Sequence, residues 1–308
     1  MTISIIGAGM AGLLAGAMFR QEAQIYEAAA SLPNNHHALL RFRSDEIAQH
    51  LNIEFSQVDV MKIVKPWRNK IAEAVGYSLK CNGKASLRSI RSAEGKVDKR
   101  FIAPPDFIHQ LEELQTNEIR FDAKIGRAWI DQYDNNAGPI ISTMPMGSLM
   151  SLLEYPEPLE FSYRHGHVIK AELELPSDLC ATVYYPDPNT PMIRATLTSD
   201  LLQVELVEEY DRNKFSLEYI MALVLQDFGL EECKYSAELV QQKYAKITAI
   251  DDRARRKFIM WATDNFNIYS LGRFAVWKPG LLLDDVFHDV RKIQAMMRNG
   301  TNYHARVN

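Results

Sequence analysis

Cysteine is scarce in this 308-residue chain: Cys81, Cys180 and Cys233 stand far apart, odd in number and without metal-ligand spacing. That argues against a disulfide scaffold, a paired-cysteine relay and a cysteine-held zinc site, and fits thiols kept in a reducing compartment. No apolar run approaches the roughly 20 residues that a bilayer-spanning helix needs, and the apolar start carries no basic leader, so no secretory signal is expected. Charge of one sign is also lacking. The net value of −4 gives no overall pull toward nucleic acid or an anionic membrane. There are no internal repeats and no low-complexity tracts, and only one glycine-rich nucleotide fingerprint, which argues against a built-in second nucleotide domain. What remains is 47% hydrophobic and 24% charged, long enough for one large or two modest domains, and expected in the cytoplasm.

The most informative stretch is the first. The apolar run 2–6 leads into Gly7-Ala8-Gly9-Met10-Ala11-Gly12, three glycines spaced G-x-G-x-x-G, followed by a helical stretch to Arg20 and a second short run ending on Glu27. Strand, glycine turn, helix, strand and acid are the ordered parts of a dinucleotide-binding unit. Gly7 permits the tight turn, Gly9 lets the backbone approach a pyrophosphate, and Gly12 lets the helix pack close to the strand. The helix N-terminus faces the phosphate charge, and Glu27 is placed to accept from a ribose hydroxyl. Without that context, three glycines would signify only a tight turn.

Further along, residues 45–51 read as a helix and 84–100 as a polar, basic-leaning solvated loop; 56–83 gives no clear pattern. Pro104-Pro105 opens a helix to about residue 115. Residues 118–124 and 127–132 read as strands, and 139–145 as a buried parallel strand that rejoins the first sheet. From residue 160 the texture changes to alternating strands, 168–175, 182–185, 192–198, 202–207 and 238–250, with a helix at 213–228. Residues 251–258, rich in arginine, read as a solvated face. Residues 267–272 form a strand running into glycine, and Asp284 or Asp285 caps a last helix. His36-His37 has no acidic or cysteine neighbour at ligand spacing, so no metal site is expected.

Three separated stretches then fall in one order: the fingerprint with Glu27, the middle strand 140–149, and the terminal Leu271-Gly272-Arg273-Phe274-Ala275-Val276-Trp277 with Leu283-Asp284-Asp285-Val286. This order resembles the FAD-dependent amine oxidase and UDP-galactopyranose mutase superfamily. The resemblance implies an α/β fold in which a Rossmann-like FAD-binding domain (1–55, 101–150 and 262–308) carries an inserted substrate domain (56–100 and 151–261) of mainly antiparallel sheet plus helix. It further implies that Gly272 and Arg273 contact the pyrophosphate or ribityl chain and that Trp277 lies near the flavin ring, with a salt bridge as the alternative for Arg273 and a core aromatic as the alternative for Trp277. A helix N-terminus at Asp285 and Val286 would stabilise negative charge on a reduced flavin. Arg194, on an otherwise apolar strand, resembles a mutase arginine that clamps a sugar-nucleotide diphosphate, with a sheet salt bridge as its alternative. The resemblance also implies a strand lysine that supports a water near the flavin, for which Lys170 and Lys246 are candidates, neither at a distinctive position. Two departures stand against the resemblance: residues 31–35 lack the usual glycine pair, and residues 39–44 lack the mutase histidine motif.

The expected activity is an FAD-dependent oxidoreductase that takes hydride to flavin N5 from a carbon bearing nitrogen or oxygen, in a small or nucleotide-linked substrate. The alternatives are a redox-neutral sugar-nucleotide mutase using reduced FAD, and a non-catalytic flavin-binding protein. The candidate catalytic residues are Arg194 and Trp277. Substrate identity, electron acceptor and oligomeric state are not legible.

Overall fold

Ile3–Ile6 forms strand β1, buried at every position, and Met10–Phe19 forms helix α1, buried from Gly12 onward; Ala23–Tyr26 returns as β2. A helix apolar on all sides is a core helix rather than a surface one. The computed structural model describes residues 2–32, 40–87, 96–115, 117–133, 138–174 and 179–298. His36 and His37 lie outside the described residues.

Beyond this unit come β3 (Arg41–Phe42), α2 (Glu46–Leu51), β4 (Ser56–Val64), α3 (Lys70–Asn82), β5 (Lys96–Ile102) and α4 (Phe107–Glu113). Then α5 (Arg127–Gln132), β6 (Ile140–Ser142) and α6 (Met146–Leu152) lead to β7 (Tyr163–Leu173), β8 (Cys180–Tyr184), β9 (Met192–Thr198) and β10 (Leu201–Leu206). The chain ends with α7 (Leu217–Phe228), β11 (Tyr235–Ile247), α8 (Asp252–Phe266), β12 (Ile268–Ser270) and α9 (Leu283–Arg298).

Two sheets result, giving a mixed α/β fold. The first is parallel throughout, in the order β12-β6-β1-β2, with Ile5 opposite Ile141 and Ile268 opposite Ile140. The expected middle strand therefore does rejoin the first sheet. The second sheet has eight strands in the order β11-β7-β10-β9-β8-β4-β5-β3, antiparallel except where β4 meets β8. Its alternation has a physical consequence. Leu202, Val204, Ala195 and Leu197 pack under Ile220 and Val224 of α7, so Arg194, Thr196, Gln203 and Glu205 stand on the opposite, polar face.

Some expectations fail. Residues 127–132 are helical: Gly126 precedes the first turn, and Arg127 Nε bonds Asp131 Oδ1 one turn on, at 2.6 Å. Residues 118–124 supply only a single bridge, Arg120 to Tyr26. Residues 252–258 open α8, whose N-cap Asp251 accepts from Ala254 N; Arg253, Arg256 and Lys257 are exposed there, so the solvated face stands as expected. In the stretch with no clear pattern, Asn69 caps α3 by accepting from the amides of Ile71 and Ala72.

Candidate functional site

The glycine turn is built by collisions avoided. Gly7 has φ +98°, which a side chain disfavours, and its amide donates to Tyr26 O at 2.8 Å. Thr143 leans over it, donating from Oγ1 to Ile6 O at 2.8 Å. A methyl at Gly12 would overlap the Gly7 carbonyl. Gly9 is different: nothing lies within 4 Å of where its Cβ would be. As N-cap of α1 it also leaves the first helical amides without a side-chain acceptor. Glu27 closes the unit, accepting from Ala8 N at 2.6 Å and Ala29 N at 2.9 Å.

The far end of the chain comes to the same place. Leu271 N donates to Ser142 O, and Gly272, at φ +95°, packs so tightly that a Cβ would stand 2.8 Å from the Ala11 Cβ. Between them opens a cavity of about 530 Å³. Gly9, Met10 and Ala11 line it from the fingerprint, Gly272 and Arg273 from the terminal segment, and Asp284 and Val286 from α9. Asp284, 7% exposed, accepts from Arg43 N at 2.9 Å. Asp285 is outside this lining. Its carboxylate caps α9 by accepting from Leu282 N, and it pairs with Arg43 at 3.6 Å. Trp277, 2% exposed, lies outside the lining of this cavity and of the larger one described below: it donates from Nε1 to Thr248 O and meets Phe161 edge-on in the core.

Arg41, on the edge strand β3 of the second sheet, lines this cavity and reaches across to β8 and β9 of the same sheet. From the cavity wall its guanidinium donates to Thr198 Oγ1 (Nε, 3.0 Å), Thr182 Oγ1 (Nη1, 2.9 Å) and Leu197 O (Nη2, 2.5 Å). Burial pushes its pKa down to about 10.

On the polar face of the second sheet lies a larger cavity, about 690 Å³. Glu205 sits in its wall in register with Arg194, whose Nε donates to Glu205 Oε1 at 2.6 Å; Lys246 Nζ donates to Oε2 at 3.0 Å. Burial alone would raise the Glu205 carboxyl, but the Arg194 and Lys246 cations hold it down at about 2. Glu205 in turn raises the Arg194 pKa. Arg194 is thus a salt-bridged sheet arginine facing a cavity, and its clamp role would have to be shared with Glu205. Lys170 is elsewhere, 3.9 Å from Glu238.

Arg273 lines both cavities. Its Nε is buried without a hydrogen-bond partner, and burial lowers its pKa. Its guanidinium lies 5.6 Å over the Phe274 ring.

The structure therefore brings Gly9, Met10, Ala11, Gly272, Arg273 and Val286 together, keeps Gly7, Ala8, Gly12 and Glu27 as the frame of the turn, and places Arg194 across the second cavity. Sequence reasoning passed over Arg41, Thr143 and Glu205 as site residues. Glu205 had a readable signal, a lone acid on the polar side of an alternating strand; Arg41, whose partners are far away in sequence, had none. Among the described residues, no three His, Cys, Asp or Glu side chains are placed to hold a metal ion, and no helix is long and apolar enough to cross a membrane.

No protein-family model matches the sequence, and no curated protein matches it. Solved structures do match the fold. A flavoprotein/dehydrogenase from Cytophaga hutchinsonii superposes with a TM-score of 0.57 at 13% identity, over 99% of this chain and 81% of that one. An oxidoreductase from Methanosarcina mazei gives 0.57 at 12% identity, over 96% and 100%. Aklavinone-11 hydroxylase, solved in a ternary complex with FAD and aklavinone, gives 0.53 at 12% identity; this chain, 96% covered, spans 62% of that longer enzyme. The chain thus shares its fold with these three proteins, one of them solved with FAD bound; the narrower amine oxidase and mutase resemblance is not what they point to.

Proposed function

We propose that the protein is an FAD-dependent oxidoreductase that holds the cofactor in the 530 Å³ cavity and acts on a small organic substrate in the 690 Å³ chamber beside it. The observation that carries this reading is Arg273, a wall of both cavities. The residues present fit FAD. Gly9 leaves a cradle that a side chain would fill, beside uncapped amides at the α1 N-terminus, the arrangement that receives a pyrophosphate. Glu27, whose oxygens accept from Ala8 N and Ala29 N, would also accept from the adenosine ribose, while Gly272 and Arg273 extend the site toward the α9 N-terminus.

When bound, FAD supplies a two-electron acceptor at N5 for hydride from a carbon bearing nitrogen or oxygen. The chain's own residues bind and orient. Thr143 fixes the turn under the cradle, and Asp284 ties the β3 loop to α9 so that the cavity keeps its shape. Arg41 locks the polar face of the second sheet against the cofactor side. Half-buried Arg273 presents positive charge at the junction, where it would favour negative charge on cofactor or substrate. The division into cofactor segments (1–55, 101–150, 262–308) and substrate segments (56–100, 151–261) belongs to this proposal, as does the finer, amine-oxidase-like chemistry. The mutase alternative rested on Arg194 and on the end-to-end similarity; the bond of Arg194 to Glu205 weakens the first of these supports.

The test is direct. The purified protein is expected to be yellow and to release FAD on denaturation, and under anaerobic conditions the right amine, alcohol or hydroxy acid should bleach it. A colourless preparation that takes up no added FAD would sink the proposal.

A further inference from the structure

We infer that the 690 Å³ chamber receives an organic oxyanion, a carboxylate or a phosphate ester; this deepens the oxidoreductase reading and rests on it for the chamber's role as substrate site. Charge balance carries the argument. Three cationic side chains reach the wall from separate elements: Arg194 on β9, Lys246 on β11 and Arg273 after β12. One partly buried carboxylate, Glu205, faces them, and both its oxygens are taken, by Arg194 and Lys246. Three cations against one carboxylate leave two positive charges uncompensated. Lys80 adds a fourth cation, already surrounded by Tyr185 O, Thr190 Oγ1 and Met192 O. At the rim, Glu208, Glu209 and Arg164 are exposed to water, where screening reduces what they contribute inside.

Orphaned donors sharpen the chemistry. The Nε–H of Arg273 is buried and has no acceptor, a costly state for a charged donor unless a ligand supplies one. His167 gives a second. Its Nε2 lies 3.0 Å from Arg212 Nη2, and a guanidinium has no lone pair to offer, so Nε2 accepts. In the neutral ring that leaves the proton on Nδ1, a donor that is buried and unpartnered. Surplus positive charge together with unmet N–H donors selects a ligand with anionic oxygens, an amino or hydroxy acid included, over one whose only charged group is an ammonium. Because Arg273 also lines the cofactor cavity, an oxyanion accepting from it lies at the junction of the two cavities.

The experiment titrates the purified holoprotein by calorimetry with four ligands sharing one ring: benzoate, phenyl phosphate, benzyl alcohol and benzylamine. Benzoate or phenyl phosphate is expected to bind at least tenfold more tightly than the alcohol or the amine, and the better of the two identifies the oxyanion. Lys246→Gln and Arg273→Gln should each weaken that binding at least tenfold, with melting curves reporting that they fold. The wild-type comparison decides the matter even where a variant does not fold. Anions that bind no better than benzyl alcohol overturn the inference, as do folded variants that bind them undiminished. A colourless protein that binds the oxyanion but takes up no FAD defeats the oxidoreductase reading alone; a yellow protein indifferent to both anions defeats this inference alone.

Discussion

Gly272 meets Ala11: a methyl on the one would stand 2.8 Å from the methyl of the other, so the end of the parallel sheet and the first turn of α1 are in contact across almost the whole chain. Gly272 also holds φ +95°. Gly272→Ala therefore meets both a collision and a disfavoured backbone, and should lower stability by about 1–3 kcal/mol. The displacement falls on the cavity wall, so FAD retention should drop with it. Denaturant unfolding and flavin released on gel filtration measure the two effects. A variant as stable and as yellow as wild type would show that this contact does not shape the cavity.

The glycines of the fingerprint should separate by role. A methyl at Gly9 meets nothing within 4 Å, and its φ of −68° suits any residue. Gly9→Ala should leave the melting temperature of FAD-free protein unchanged while weakening FAD binding at least tenfold, because the methyl occupies the cradle. Gly12→Ala should do the opposite first, destabilising by about 2–4 kcal/mol as α1 is pushed off the Gly7 carbonyl. Equal FAD affinity in Gly9→Ala and wild type would mean that the pyrophosphate lies elsewhere.

The fingerprint was legible because its chemistry is local: turn, cradle and helix N-terminus lie within a dozen consecutive residues. The strand at 140–142 was legible because a strand buried on both faces is a continuous apolar run. Residues 127–132 misled because a six-residue helix with one fully buried side chain presents too short a period to distinguish from a strand. For Trp277 the two readings were a flavin neighbour and a core aromatic, and only the fold separates them. The terminal segment does reach the cavity at Gly272 and Arg273, but the backbone turns at Trp277, φ +44°, and carries the indole into the core. The chamber was the least legible feature, since Lys246, Glu205 and Arg194 meet only through strand order, and strand order is not a property of any one segment.

Arg41 offers a test of how the edge strand β3 is tied back across its own eight-stranded sheet to β8 and β9. Its fork satisfies two threonine hydroxyls and a carbonyl on β8 and β9, while its own strand β3 pairs with β5. Arg41→Lys keeps the charge but replaces a planar fork by a single ammonium, leaving at least one of these partners unmet. The expected loss is on the order of 2–3 kcal/mol, read as a lower urea midpoint with unchanged slope. Because the wall of the cofactor cavity moves with this residue, FAD affinity should fall as well. Unaltered stability in Arg41→Lys would show that the threonine hydroxyls find other partners.

Glu205 makes a prediction with a definite sign. Its carboxyl is held at about 2 in the folded protein against an ordinary value of 4.5, with the side chain 17% exposed. A depressed folded pKa means that the folded state favours the ionised form. The stabilisation is complete above the ordinary value and is lost as pH falls from about 4.5 to about 2. A shift of this size corresponds to roughly 3 kcal/mol. Glu205→Gln removes the ionisable group and leaves Arg194 and Lys246 repelling each other in the chamber wall. Its deficit relative to wild type should be largest above pH 5 and shrink steadily below it, as protonation brings wild type to the same neutral state. Urea unfolding of both proteins between pH 6 and pH 3 measures the difference. A deficit independent of pH would mean that Glu205 acts through packing rather than charge, and that the balance of cations in the chamber is set by something else.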